Sequence, residues 1–207
     1  MQNAELSELV KTHPQVWSGD RYIRDRSVAS TGYLPLDQAL PTGGWPPGVI
    51  WVDYPRAGIG ELQLLYPAMQ QLSRERREVV FVNPPYQPYA AAMPGMAFNS
   101  TLVVEPENFD DALWAADKLV RHAACGLVLL WTTADKAITS SALRRLNLAA
   151  RQNGTTLVIY NRLCYPAPAA MWVAAKLRIQ VASDGLHIDI CKAHGLLHAK
   201  SCRINLN

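Results

Sequence analysis

A single α/β domain, with a mostly parallel sheet covered on both faces, is the fold class the sequence predicts, on three observations. Short apolar runs without polar alternation recur between segments of helical periodicity, the pattern of doubly buried strands joined by crossover helices. The period then changes: "KLRIQVA" and "LHIDIC" alternate strictly about a Ser183-Asp184-Gly185 turn, which predicts an antiparallel hairpin extending the sheet at one edge. Finally, 207 residues, 49% hydrophobic and 18% charged, suit one well-buried core rather than two.

Residues 1–30 read as an arm, with Leu6, Leu9 and Val10 at helical spacing before a polar, weakly patterned stretch. Residues 31–207 read as the domain. In "TGYLPLDQALPTGGWPPG", Pro35 and Pro41 bracket a short helical turn, and the Gly and Pro residues after it fix a loop. The alternation begins there, with a strand at 49–54, a helix at 61–76, a strand at 79–83, a proline-rich loop and a strand at 101–104. A helix at 108–122, a strand at 126–131, a helix at 139–152 and a strand at 155–160 follow. Leu62, Leu65, Met69 and Leu72 carry the first long helix, where Pro67 should kink it or shorten its regular part. Phe109, Ala112, Leu113, Ala116 and Val120 carry the second.

A formal charge of +3 is too weak to mark a nucleic-acid binder by field alone, so any such contact must be local. No apolar run approaches the roughly 20 residues a membrane span needs, and the amino terminus lacks a basic region followed by an apolar one. A cytoplasmic protein is expected, without membrane contact. Cys125, Cys164, Cys191 and Cys202 are widely spaced, as reduced packing thiols would be.

The stretch "WVDYPRAGIGELQLLYP" has the strand, glycine loop and helix of a phosphate loop. Such a loop needs a lysine for the β- and γ-phosphates and a hydroxyl for magnesium, yet Ile59 and Gly60 stand at those places. Its residues Arg56, Gly58, Ile59, Gly60 and Glu61 therefore form a degenerate loop whose amides could at most cradle a weak anion. The other two requirements fail as well. After the next strand come Asn83, Pro84 and Pro85 rather than a carboxylate, and Trp131 closes the strand where a magnesium aspartate would stand. The expectation is a protein that is not an enzyme, with no catalytic residue, cofactor or metal.

"TGYLPLDQALPTGGWPPG", "GIGELQLLYP", "PPYQPY", "DDALWAADKLVRHAACGLVLLW" and "ALRRLNLAA" carry a more specific likeness. The chain resembles a RecA-like core without its active site, and is similar to the ImuA/SulA family of bacterial SOS-response proteins, most of all its translesion-synthesis branch. This likeness covers most of the chain from about residue 16. The family often ends in a run of Lys, Arg and Gly, whereas "CKAHGLLHAK" retains only Lys192 and Lys200. The resemblance implies a non-catalytic accessory of SOS-induced translesion synthesis, with RecA and an ImuB-type polymerase accessory as partners. The alternative it implies is a SulA-type division inhibitor that binds FtsZ. Direct DNA contact is left open by both.

Three surfaces are candidates for partner contact. Tyr86 and Tyr89 sit among Pro84, Pro85 and Pro88, a stiff aromatic loop that either meets a partner or packs on its own domain. Trp45, between Gly44 and Pro46, has the same two readings. Leu143, Leu146 and Ala150 turn one helix face inward, leaving Arg144, Arg151 and Asn147 outside with Arg145 nearby: either a solvated basic face or a contact for carboxylates or phosphate. Trp51, Trp114 and Trp131 are expected in or against the core. His187, Cys191, His194, His198 and Cys202 fit no closed zinc site well and read as solvated tail residues.

Overall fold

Residues 29–89, 91, 93–96, 101–133, 136–162 and 172–206 are described in the structure, a computed structural model. The expected arm thus lies outside the described residues except for Ala29 and Ser30, and Cys164 lies outside them too. Along the described chain run α1 (Leu34–Ala39), β1 (Gly48–Asp53), α2 (Tyr66–Arg74), β2 (Glu78–Val82), β3 (Thr101–Val104) and α3 (Phe109–Leu119). Then follow β4 (Cys125–Trp131), α4 (Ser140–Asn153), β5 (Thr156–Asn161), β6 (Ala175–Ala182), β7 (Gly185–Ala193) and β8 (Lys200–Asn205).

The strands form one eight-stranded sheet in the order β3-β2-β4-β5-β1-β6-β7-β8. Pairing is parallel from β3 through β6, while β6, β7 and β8 run antiparallel to one another. Every residue of β1, β4 and β5 is buried, as their unbroken apolar runs require. β3 departs from that expectation. As the outermost strand among the described residues, at the rim of the sheet where both faces are less covered, it leaves Leu102 45% and Val103 40% exposed.

Two apolar clusters sandwich the sheet. Ile50, Val52, Phe81, Leu129, Val158 and Tyr160 face α1 and α2, and Val49, Trp51, Val80, Val128, Leu130 and Ile159 face α3 and α4. Capping explains where the longer helices start and stop. Asn108 accepts from the Asp111 amide at 3.0 Å ahead of α3, with Asp110 and Asp111 favourably placed in its first turn. Thr139 does the same for Ala142 ahead of α4, and Gly154, at φ 63°, ends that helix in the left-handed conformation.

The helix expected at 61–76 is shorter, since residues 61–65 form turns and α2 starts at Tyr66 with Pro67 in its first turn. Proline's missing N–H is harmless there. The "tail" also differs from its expectation. β8 pairs with β7 in register Ile188↔Cys202 and buries Ile204, so Cys202 sits in a strand rather than in a solvated end.

Candidate functional site at the carboxyl edge of the sheet

The chain leaving β1 enters the degenerate phosphate loop, whose shape is set by a side chain of its own. Glu61 is buried, and its two carboxylate oxygens accept from the Gly58 and Ile59 amides, each at 2.9 Å. Those amides are the donors that a phosphate loop offers to its anion. In this chain they already hold one. Gly60, at φ 98°, is locked as well, for a Cβ there would stand 2.4 Å from Leu206 Cδ1. The Glu61 carbonyl accepts from the Tyr160 hydroxyl at 2.7 Å, which ties the loop to β5. Burial, together with the charge of Glu61 and the neighbouring Tyr54, pushes the Tyr160 phenol well above its ordinary value, so it stays neutral and donating.

The strand ends beside this loop are aromatic where a phosphoryl-transfer site needs carboxylates. Trp131, at the end of β4, stacks on Tyr160 at 4.9 Å and faces Phe81 of β2 at 6.2 Å, while Tyr54 meets Tyr160 edge-on at 5.6 Å. Asn83 takes a left-handed turn at φ 55° and donates from Nδ2 to the Trp131 carbonyl at 3.0 Å, bracing β2 against β4. A carboxylate does occur close by, where sequence reasoning passed over it: Asp53, buried at the end of β1. Trp51 Nε1 at 2.8 Å, Asn161 Nδ2 at 2.7 Å and Lys176 Nζ at 3.2 Å share it. These bonds commit it to binding β1, β5 and β6 together, on the sheet face away from the glycine loop's apolar neighbours. Its signal was the sequence itself, since an aspartate ending a fully apolar strand requires partners.

Between the loop, α2 and the ends of β2 and β4 lies a cavity of about 440 Å³. Glu61, Tyr66, Phe81 and Trp131 line it on the domain side, and Tyr86 and Tyr89 on the outer side. The outer tyrosines are 74% and 71% exposed, which decides that this proline loop does not pack them onto its own domain. One contact ties the loop to the domain, Gln87 donating to Glu105, while on the neighbouring segment the Pro94 carbonyl accepts from both Tyr66 and Gln70. Trp131 Nε1, buried in the wall, has no acceptor among the described residues. The cavity occupies the place where open α/β sheets receive ligands, beyond the carboxyl ends of the strands.

The remaining candidates do not join this site. Trp45 is buried at 2% exposure and bridges to Ala29, so of its two readings the packing on its own domain is the one the structure shows. Trp114 errs the other way, since it lies on the outer side of α3, 64% exposed with the Lys118 ammonium 5.5 Å from its ring. On α4, Asn147 points inward and accepts from the Val49 amide at 2.9 Å, contrary to its expected outer position. Arg144 lies over the Trp172 ring at 4.6 Å, and Arg145 pairs with Asp117 at 3.3 Å, a carboxylate that also holds Arg121. Arg151 is half-buried, its aliphatic stem close to Gly48. The basic face is therefore partly spent on intramolecular contacts. Burial pushes the Asp117 carboxyl up, yet the hydrogen bonds and charges of Arg121 and Arg145 outweigh it and hold the group below the usual carboxylate value.

Among the described residues no helix is long and apolar enough to cross a membrane. No protein-family model matches the chain. Curated proteins do. The chain is 28% identical over 166 residues to Protein RecA of Streptomyces venezuelae, a match covering 70% of this chain and 44% of that one. It is likewise 28% identical to Protein RecA of Xanthomonas euvesicatoria pv. vesicatoria (70% and 48% covered) and 26% identical to that of Leptospira biflexa (70% and 43%). The chain thus spans less than half the length of the curated relatives it matches. Together with the eight-stranded, mostly parallel sheet and its antiparallel edge, these matches give the chain a RecA-like α/β fold.

Proposed function

We propose that this chain is a non-catalytic accessory of the DNA-damage response, acting in SOS-induced translesion synthesis through contacts with RecA and an ImuB-type polymerase accessory. One observation carries the reading: the Glu61 carboxylate sits on the Gly58 and Ile59 amides. A γ-phosphate brought to the same donors would meet that carboxylate instead of a lysine, and like charges at such range repel strongly in a buried setting. Ile59 supplies no compensating cation, and the stack of Phe81, Trp131 and Tyr160 fills the strand ends with apolar surface. What remains is a scaffold that presents surface. Tyr86 and Tyr89, exposed beside the cavity in a loop that Pro84, Pro85 and Pro88 stiffen, are the contact the reading favours. The similarity to RecA supports the cellular setting, and the family resemblance supplies the finer role. A cytoplasmic location belongs to the same proposal.

The test is to titrate the purified chain against RecA filaments on single-stranded DNA and, in parallel, against polymerising FtsZ. Saturable RecA binding that weakens in Tyr86→Ala and Tyr89→Ala, with FtsZ assembly unaffected, is the expected result. Suppressed FtsZ assembly without RecA binding would overturn it in favour of the division inhibitor.

A further inference from the structure

At the opposite, amino-terminal end of the parallel strands, three side chains of metal-ligating type converge. Glu78 opens β2, Cys125 opens β4, and the two are ladder partners at a register irregularity. His122 lies three residues before Cys125 in the turn that follows α3. The Cys125 amide donates to the His122 carbonyl at 3.0 Å, closing that turn and placing both side chains on the same side of it as Glu78. The Glu78 amide in turn donates to the Ala124 carbonyl at 2.8 Å. The ligand atoms of the three residues all lie within 4.8 Å of one another, and Cys125 Sγ is 3.9 Å from Glu78 Oε2. Among the described residues this is the only group of three or more such side chains so placed.

We infer that Glu78, His122 and Cys125 form a binding site for a zinc-class divalent cation, with a fourth coordination position open to solvent. One sulfur, one imidazole nitrogen and one carboxylate oxygen is a ligand set that zinc takes and that calcium and magnesium do not. Two of the three come from an H-x-x-C turn, a spacing short enough for one ion to hold both ends. Tetrahedral bonds of about 2.0–2.3 Å put ligand atoms roughly 3.5 Å apart, so closure needs a shift of about 1 Å, and His122 is exposed and free to make it.

The surroundings are consistent with that shift being confined to the side chains. The Cys125 carbonyl is fixed by Arg77 Nη2 at 2.9 Å and by the Thr155 hydroxyl at 3.1 Å, and a second Arg77 bond to the Gly154 carbonyl at 3.0 Å points its guanidinium at backbone. Arg77 still places a cation near the site, which disfavours a dication and favours the thiolate that would bind one. Burial, then the charge and hydrogen bond of Glu78, push the Cys125 thiol up to about 11, so without an ion it is protonated. On binding, the S–H bond breaks, its proton passes to solvent and the sulfur lone pair forms the metal bond, with no change of oxidation state. Glu78 and the thiolate then balance the two charges of the ion. This site shares no residue with the carboxyl-edge cavity, and the inference does not rest on the proposed function.

Cobalt(II) titration of the full chain under reducing conditions tests it. The expected result is one equivalent bound with a thiolate-to-cobalt absorption band, bleached by added zinc. His122→Ala lies on the surface and leaves the fold intact by circular dichroism; it should weaken binding at least about tenfold, the loss that even an outer-shell partner causes. Cys125→Ser should abolish the band, and a triple Ser variant of Cys164, Cys191 and Cys202 should keep it. Absence of the band in the wild-type chain, its persistence in Cys125→Ser, or unchanged affinity in His122→Ala would overturn the assignment.

Discussion

Glu61 decides more about this chain than any other residue. It turns an anion cradle into a closed internal contact, with two charge-assisted hydrogen bonds in a buried setting. Glu61→Ala leaves both amides and the loop without their partner and should lower stability by roughly 2 kcal/mol in urea unfolding, the scale of hydrogen bonds to a charged group. Trp131 is the second such residue. Its ring fills the gap between Phe81 and Tyr160, so Trp131→Ala should cost about 3–5 kcal/mol by the cavity it opens. Tyr89→Ala, at an exposed ring, should stay within about 0.5 kcal/mol of wild type by thermal melting while weakening partner binding. A fold that collapsed on Tyr89→Ala would remove that tyrosine from the contact surface.

At the scale of elements, α3 and α4 are joined across their outer surfaces by Asp117 with Arg121 and Arg145. Because the folded carboxyl titrates below its ordinary value, its contribution is full above the ordinary carboxylate range and is lost as pH falls through the lowered value. Asp117→Asn should therefore melt below wild type at neutral pH and converge with it in acid, a difference that melting curves against pH would show. The strands and helices of the parallel half were legible because their residues are buried on two faces or on one helical stripe, as in β4 and α4. β3 escaped that logic, since the same apolar letters serve an edge strand that is half in water. Periodicity also does not say what the outward stripe touches, which is why Trp114 and Asn147 exchanged places with their expectations. β8 was missed because Lys200 to Asn205 alternates over only six residues, with Ile204 its one buried anchor. In the site, the sequence showed which groups were lacking. That Glu61 occupies the vacated amides, and that Asp53 is tied to Lys176, depends on contacts between elements that no local pattern records.

The whole molecule is a RecA-like sheet whose carboxyl edge holds a carboxylate and an aromatic stack where nucleotide chemistry needs a lysine, a hydroxyl and a metal-ordering carboxylate. The proposed loss of phosphoryl transfer thus rests on several separate positions, Ile59, Gly60, Asn83 and Trp131, rather than on one. Ile59→Lys alone should place its ammonium against Glu61 and create no turnover. Whether the loop still handles nucleotide is read by equilibrium binding and hydrolysis of MgATP by the wild-type chain, Glu61→Gln and Ile59→Lys, with and without single-stranded DNA. Neither saturable binding nor turnover above background is expected in any of the three. Saturable ATP binding by the wild-type chain, with hydrolysis that DNA stimulates, would contradict this expectation.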